Sequence, residues 1–219
     1  MTIPSRLLAI LCAATFLLKP AASFADDANE WFARVGVLEA IYNSSARIST
    51  DAGIIPGASA SVTNNTTLMF DIGYDPTANT YVMLMAGIPP KPDLNGTGSV
   101  TELGKLGSVR YGPAILTGGY RFPVTSNFQP YVGAGFAYAI ILHNYDGAVS
   151  DLHVHNNFGY ALQAGVEYVI TRKWQAFLDL KQLWLSVNAD GSLGGLVPVT
   201  AKVKLDPTII SAGIKYRFN

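Results

Sequence analysis

The sequence predicts an all-β fold, an eight-stranded antiparallel up-and-down transmembrane β-barrel, and three observations predict it. Between Trp31 and Phe218, eight segments alternate apolar residues with small or polar ones at a period of two. The gaps between these segments run long, short, long, short, long, short, long. The composition is greasy and poor in charge, with 49% apolar and 14% charged residues and a mean hydropathy of +0.26. Successive side chains of a strand point to opposite sides, so a period of two specifies one apolar wall and one small or polar wall. No segment approaches the roughly 20 apolar residues that a membrane helix needs, whereas strands of about 9 to 11 residues suffice for a membrane barrel. A helical bundle is excluded.

The first 25 residues read as a cleaved signal peptide. Arg6 supplies a positive start, Leu7 to Leu18 is a short apolar core, and Ser23-Phe24-Ala25 before Asp26-Asp27 fits a small-x-small cleavage site. The barrel domain is then 26–219. The single cysteine, Cys12, lies in the removed core, so the mature chain is expected to have no disulfide and no thiol chemistry. Losing Arg6 and Lys19 from the 15 basic residues leaves 13 against 15 acidic ones, a net −2 that gives no sign of nucleic-acid binding.

The first strand is expected near Trp31 to Tyr42; its Glu39 falls on the otherwise lipid-facing parity, either above the hydrocarbon band or at a slip in register. The second, Thr66 to Tyr74, sets Thr66, Leu68, Phe70, Ile72 and Tyr74 against Thr67, Met69, Asp71 and Gly73. The third, Asn79 to Ile88, is greasy on both faces, Val82, Leu84 and Ala86 against Tyr81, Met83 and Met85. The fourth and fifth run from Arg110 to Phe122 and from Phe128 to Ile141. In the sixth, His155 to Ile170, Phe158, Tyr160, Leu162, Ala164, Val166 and Tyr168 oppose a small and polar face that ends in Glu167. The seventh runs from Lys173 to Val187; the eighth, Val203 to Phe218, sets Ile210, Ala212, Ile214, Tyr216 and Phe218 against Ser211, Gly213, Lys215 and Arg217.

The short links, Asp75 to Ala78, Pro123 to Asn127 and Thr171-Arg172, carry turn chemistry or are too brief for anything but a tight turn. The long links, Asn43 to Asn65, Pro89 to Val109, Leu142 to Val154 and Asn188 to Lys202, are rich in Gly, Ser, Asn, Thr and Pro. Short turns face the periplasm in outer-membrane barrels and long loops face outward, so an even strand count puts both termini inside. Trp31, Trp174, Tyr74, Tyr120, Tyr168 and Tyr216 then ring the periplasmic interface, with Trp184 and Tyr138 at the upper one.

With the polar parity turned inward, the lower lumen collects Arg34, Asp71, Arg121, Glu167, Asp179, Lys181, Lys215 and Arg217, a mixed-sign charged floor. The upper lumen collects Leu38, Met69, Ala137, Ala139, Ile141, Leu183, Leu185 and Val187, and is apolar. An eight-stranded barrel is only wide enough for its own side chains, so opposite charges must pair across it and close any straight water path. Ordinary core packing accounts for the apolar set equally well.

Three stretches are similar to the outer membrane protein W (OmpW) family of small eight-stranded porin-like barrels. They are Ser61-Val62-Thr63-Asn64-Asn65-Thr66, the run Pro130-Tyr131-Val132-Gly133-Ala134-Gly135 ending in Tyr138, and Leu205-Asp206-Pro207 through Ser211-Ala212-Gly213 to Tyr216-Arg217-Phe218. The resemblance spans nearly all of the mature chain. It implies a bacterial outer-membrane location and a passive channel for small hydrophobic molecules that leave sideways through the barrel wall into membrane lipid. It also implies that Met83 and Met85 face inward beside the other apolar lumen residues; methionine suits loose selectivity. The terminal aromatic resembles the signal read by the outer-membrane assembly machinery, although Asn219 follows Phe218 here.

A sideways exit needs a gap in strand pairing, and Pro89, Pro90 and Pro113 are the candidate gap-makers, because proline removes a ladder donor. The plainer reading is that Pro89 and Pro90 end a strand. No cofactor, enzyme activity or metal is expected: there is no nucleophile elbow, Walker loop or dinucleotide fingerprint, and His143, His153 and His155 have only Asp146 and Asp151 as helpers. Two alternatives remain open. One is an interaction barrel with a plugged lumen whose loops meet phage, bacteriocin or host surfaces. The other is a soluble lipocalin-like binder with the apolar face inside, against which the charged minority face argues.

Overall fold

The computed structural model describes residues 29–218. The predicted signal peptide with its Cys12, and Asn219, lie outside the described residues. The strands in chain order are β1 (Glu30–Ile41), β2 (Ser45–Thr50), β3 (Gly53–Ile54), β4 (Ala58–Val62), β5 (Asn65–Asp75), β6 (Thr80–Gly87), β7 (Asp93–Gly98), β8 (Lys105–Arg121), β9 (Phe128–Asp146), β10 (Val149–Val154), β11 (Asn157–Val169), β12 (Trp174–Leu193), β13 (Val197–Lys204) and β14 (Thr208–Arg217). Eight of them, β1, β5, β6, β8, β9, β11, β12 and β14, each pair antiparallel with the next, and β14 closes on β1. Closure removes the sheet edge, which is how a backbone in lipid satisfies its hydrogen bonds without water.

Each barrel strand turns its two walls as the alternation demands. Phe32, Arg34, Leu38 and Ala40 of β1 are buried, while Trp31, Val35, Val37 and Ile41 are exposed. Around the barrel the exposed set includes Leu68, Phe70, Ile72, Leu84, Leu116, Val132, Leu162, Leu178, Leu180, Ile210 and Ile214. A continuous apolar belt of this kind exceeds what soluble monomers expose and matches the lipid-facing band of a membrane barrel. On β12 the belt lies between Trp174 and Trp184, both about half exposed. Ten residues at about 3.3 Å rise and a tilt near 40° span about 25 Å, the height of that band. Aromatic pairs mark its edges, Trp31 with Tyr74 and Trp174 with Tyr216 at the end of the short turns, and Tyr138 with Phe158 at the other.

On the third barrel strand, β6, Tyr81, Met83 and Met85 are buried inside and Val82 and Leu84 face out. Glu39 faces outward with no slip in register, opposite Ile210 on one side and Thr66 on the other.

The long links differ most from expectation, because they are not loops. The link 43–65 holds β2, β3 and β4; 89–109 holds β7 and the start of β8; 142–154 holds the end of β9 and β10; 188–202 holds the end of β12 and most of β13. β8, β9 and β12 run on to 17, 19 and 20 residues. They do so because alternation continues past the membrane: Val187 and Ala189 of β12 point inward and bury Val149, Leu152 and Val154 of β10 and Val199 and Val203 of β13 in one outer core.

The expected eighth strand, 203–218, is split. β13 stops at Lys204 and β14 starts at Thr208. Between them Asp206 takes a left-handed conformation (φ 32°) and its Oδ1 accepts the Leu185 N–H at 3.0 Å. Pro207, with no N–H to give a ladder, accepts the Leu183 N–H through its carbonyl at 3.0 Å.

Candidate functional site

The lower lumen is a layer of buried, interlocked charges. Arg34 and Asp71 are direct neighbours across β1 and β5, with Nε 3.1 Å from Oδ2. Arg34 Nη2 also reaches Asp179 on β12 at 3.6 Å, and Lys181 pairs with the same carboxylate. A second knot forms around Arg121, 2.8 Å from Asp75 and 3.0 Å from Glu167. Lys215 lies 2.9 Å from Glu167, and Arg217 lies 3.5 Å from Asp75. With Glu30, 3.9 Å from Arg217, five cations meet five carboxylates, all buried. Such groups tolerate burial only when paired.

Aromatic rings fill the space between the charges. Tyr131 donates to Asp179 at 2.5 Å and accepts from Arg34 at 3.3 Å, and Tyr81 donates to Gln163 at 3.2 Å. The Arg34 guanidinium lies 3.7 Å over the Phe177 ring, and Lys215 Nζ 4.2 Å over Phe32. The lumen accepts these rings because the facing residues are glycines: a Cβ on Gly73 would stand 2.1 Å from the Phe32 ring tip.

Above the floor the lining of the lumen is mostly apolar. Three voids follow one another inward. The outermost, about 60 Å³, lies among Ile48, Leu106, Val149, Leu152 and Val199. The next, about 40 Å³, lies among Val62, Val109, Ile141, Val187 and Leu205. The innermost, about 20 Å³, lies among Leu38, Met85, Ala137, Leu183, Leu185 and Ile209. Leu94, Ala189 and Val203 line both outer voids; Tyr42, Tyr111, Ala139 and Leu205 line both inner ones. At that inner junction the hydroxyls of Tyr42 and Tyr111 are hydrogen-bonded to each other. An apolar cavity that holds benzene measures about 150 Å³, well above any of these, so a solute must push side chains apart to pass.

Eight of the ten residues expected to form the apolar lumen, Leu38, Met85, Ala137, Ala139, Ile141, Leu183, Leu185 and Val187, line these voids. Met69 is buried in the same cluster as Leu38 and Met85. Met83 sits lower, with Phe32, Tyr81 and Tyr131, where Arg34 Nη1 approaches its sulfur at 3.5 Å. Asp75, Glu30, Tyr131, Tyr42 and Tyr111 were not singled out by the sequence. Asp75 shares the parity of Asp71, but its place before Pro76 reads as turn chemistry. Tyr42 and Tyr111 fall at the ends of the strands expected at 31–42 and 110–122, where the periodicity alone gives no partner.

The wall of the innermost void is incomplete. The β6–β8 ladder stops at the pair Met85–Ile115, and the next bond between these chains is from Tyr111 N–H to Pro90 O at 3.3 Å. Pro113 falls between. The N–H groups of Arg121 and Tyr111 both point to the β6 side, and the period of two puts the missing donor of Pro113 on that side too. The void is lined there by Gly87, Ile88, Pro90 and Pro113, and also by Tyr138. Of the three candidate prolines, Pro90 and Pro113 border the break, while Pro89 is exposed beside it.

The histidines lie in the outer part of the fold, His143 on β9, His153 on β10 and His155 just after β10. His155 Nε2 is 2.6 Å from Asp190 Oδ1, and the His153 ring packs 4.8 Å from that of His155. Among the described residues no group of three or more His, Cys, Asp or Glu is arranged to hold a metal.

Comparison with known proteins agrees with this architecture. The solved structure of OprG from Pseudomonas aeruginosa superposes with a TM-score of 0.82 over 88% of this chain and 97% of that one, at 21% identity. Outer membrane protein AlkL of Ectopseudomonas oleovorans is 33% identical over 78% of this chain and 74% of its own. The dibenzothiophene metabolism operon protein PahQ of Pseudomonas aeruginosa is 30% identical over 86% and 88%. A profile of the OmpW family matches residues 29–218, the whole described barrel. The chain is an outer-membrane β-barrel protein and belongs to the OmpW family.

Proposed function

We propose that this barrel is a passive conduit for small hydrophobic molecules, which descend its apolar column from outside and leave sideways into the membrane between β6 and β8. The observation that carries this reading is the coincidence of three features at one level. The apolar voids end there, the buried charges begin just below, and the β6–β8 ladder is broken beside Pro113. An apolar solute gains by leaving water for the column, and it has no favourable way through a floor of paired charges. The open side of the innermost void is its cheapest way on. A relative named for a dibenzothiophene metabolism operon supports an apolar cargo, since dibenzothiophene is itself a flat, largely hydrocarbon molecule.

The test is uptake of a fluorescent polycyclic hydrocarbon into liposomes carrying the purified barrel. Uptake should exceed that of protein-free vesicles, and a charged dye of similar size should be excluded. Equal rates with and without protein would overturn the reading. The small size of the voids favours a second reading, a plugged barrel whose outer strands serve as a binding surface. That reading expects no protein-dependent uptake.

A further inference from the structure

The outer sheet of β12, β13 and β2 carries three cations on one outward face. Lys202 stands directly opposite Arg47 across β13 and β2, and Lys204 is two residues along β13, opposite Ser45. All three are exposed, and their strand neighbours Ile48 and Val203 point into the outer core. Like charges placed directly opposite on a sheet destabilise it. Among the described residues none of the three has an ion-pair partner. The carboxylates nearby are engaged elsewhere: Asp190 pairs with His155, and Asp206 accepts the Leu185 N–H.

The register fixes the height of this cluster. On β12 the outward Trp184 belongs to the upper aromatic ring; Ser186 and Asn188 follow it on the same face and pair with Lys204 and Lys202. At about 3.3 Å rise and a tilt near 40°, the two lysines stand about 5 and 10 Å above the ring. That is the level of the lipid headgroups in the outer leaflet. Cations at headgroup level bind anionic lipid, and a phosphate between Arg47, Lys202 and Lys204 would relieve the repulsion built into the pair.

We propose that Arg47, Lys202 and Lys204, with Ser186 and Asn188 beside them, form a binding site for the phosphorylated headgroup of an outer-leaflet glycolipid. The site is separate from the lumen and does not depend on the transport reading. It would fasten the outer β12–β13–β2 sheet, and so the mouth of the column, to the membrane surface.

Titration of the mature protein in detergent micelles with fluorescent bisphosphorylated lipid A tests this. The wild-type barrel should bind, and affinity should fall with salt. The triple variant R47S/K202S/K204S should lose at least tenfold, with an unchanged circular dichroism spectrum, whereas Arg110→Ser should bind as wild type. A second variant, Lys202→Glu, should abolish binding while gaining thermal stability, because it pairs with Arg47. Equal binding by the triple variant, equal loss in Arg110→Ser, or competition by inorganic phosphate as effective as that by lipid A would overturn the assignment.

Discussion

Tyr42, just past the end of β1, and Tyr111 of β8 meet hydroxyl to hydroxyl across the lumen, at the level where the two inner voids join. Their rings bar the column, and the bond between them is a polar link in largely apolar surroundings. A typical internal hydrogen bond contributes about 0.5 to 1.5 kcal/mol net. Tyr111→Phe keeps the ring and removes the bond, so hydrocarbon uptake should rise about 2- to 10-fold. Uptake equal to wild type in a folded barrel would show that the hydroxyl pair is no latch.

Pro113→Val restores the N–H that β8 lacks on the β6 side. Valine favours extended backbone and should extend the ladder past Ile115 toward Gly87. Uptake of the hydrocarbon probe should drop several-fold, with the heat-dependent shift in gel mobility of a folded barrel retained. Undiminished uptake by a folded variant would remove this exit from consideration.

The membrane part of this architecture was legible because lipid and lumen impose opposite demands on alternate residues. Phe70 and Asp71 can only be sorted one way, and their strand register follows. The outer part was less legible, for a physical reason. Segments such as Val197 to Lys204 alternate just as regularly, but turn-prone Gly, Pro and Ser surround them, and nothing in the sequence says which strand they cover. Asp75 illustrates the same limit at the floor. Its chemistry depends on Arg121, 46 residues away and brought to 2.8 Å only by closure of the barrel.

Glu167 is the hinge of the floor, 3.0 Å from Arg121 and 2.9 Å from Lys215, with all three side chains buried. Glu167→Gln keeps the shape and leaves two cations short of a carboxylate. Removing one partner of a buried pair costs about 3 to 5 kcal/mol. The urea midpoint, followed by tryptophan fluorescence in lipid vesicles, should fall accordingly. A midpoint within experimental scatter of wild type would mean that water already reaches this layer.

Gly73 and Phe32 are direct partners across β5 and β1, and the ring lies over the position a Cβ would take, 2.1 Å from the ring tip. Gly73→Ala therefore overpacks the floor and should cost about 1 to 3 kcal/mol. Phe32→Leu removes the ring tip, and by itself should also destabilise, through lost burial and the lost contact with Lys215. Combined, the two changes relieve each other: residues in direct contact show coupling of about 0.5 to 3 kcal/mol. The double variant should thus unfold at a higher urea concentration than the sum of the single effects predicts. Strict additivity would mean that the glycine serves the backbone's twist and not the ring, since a backbone effect would persist whichever side chain occupied position 32.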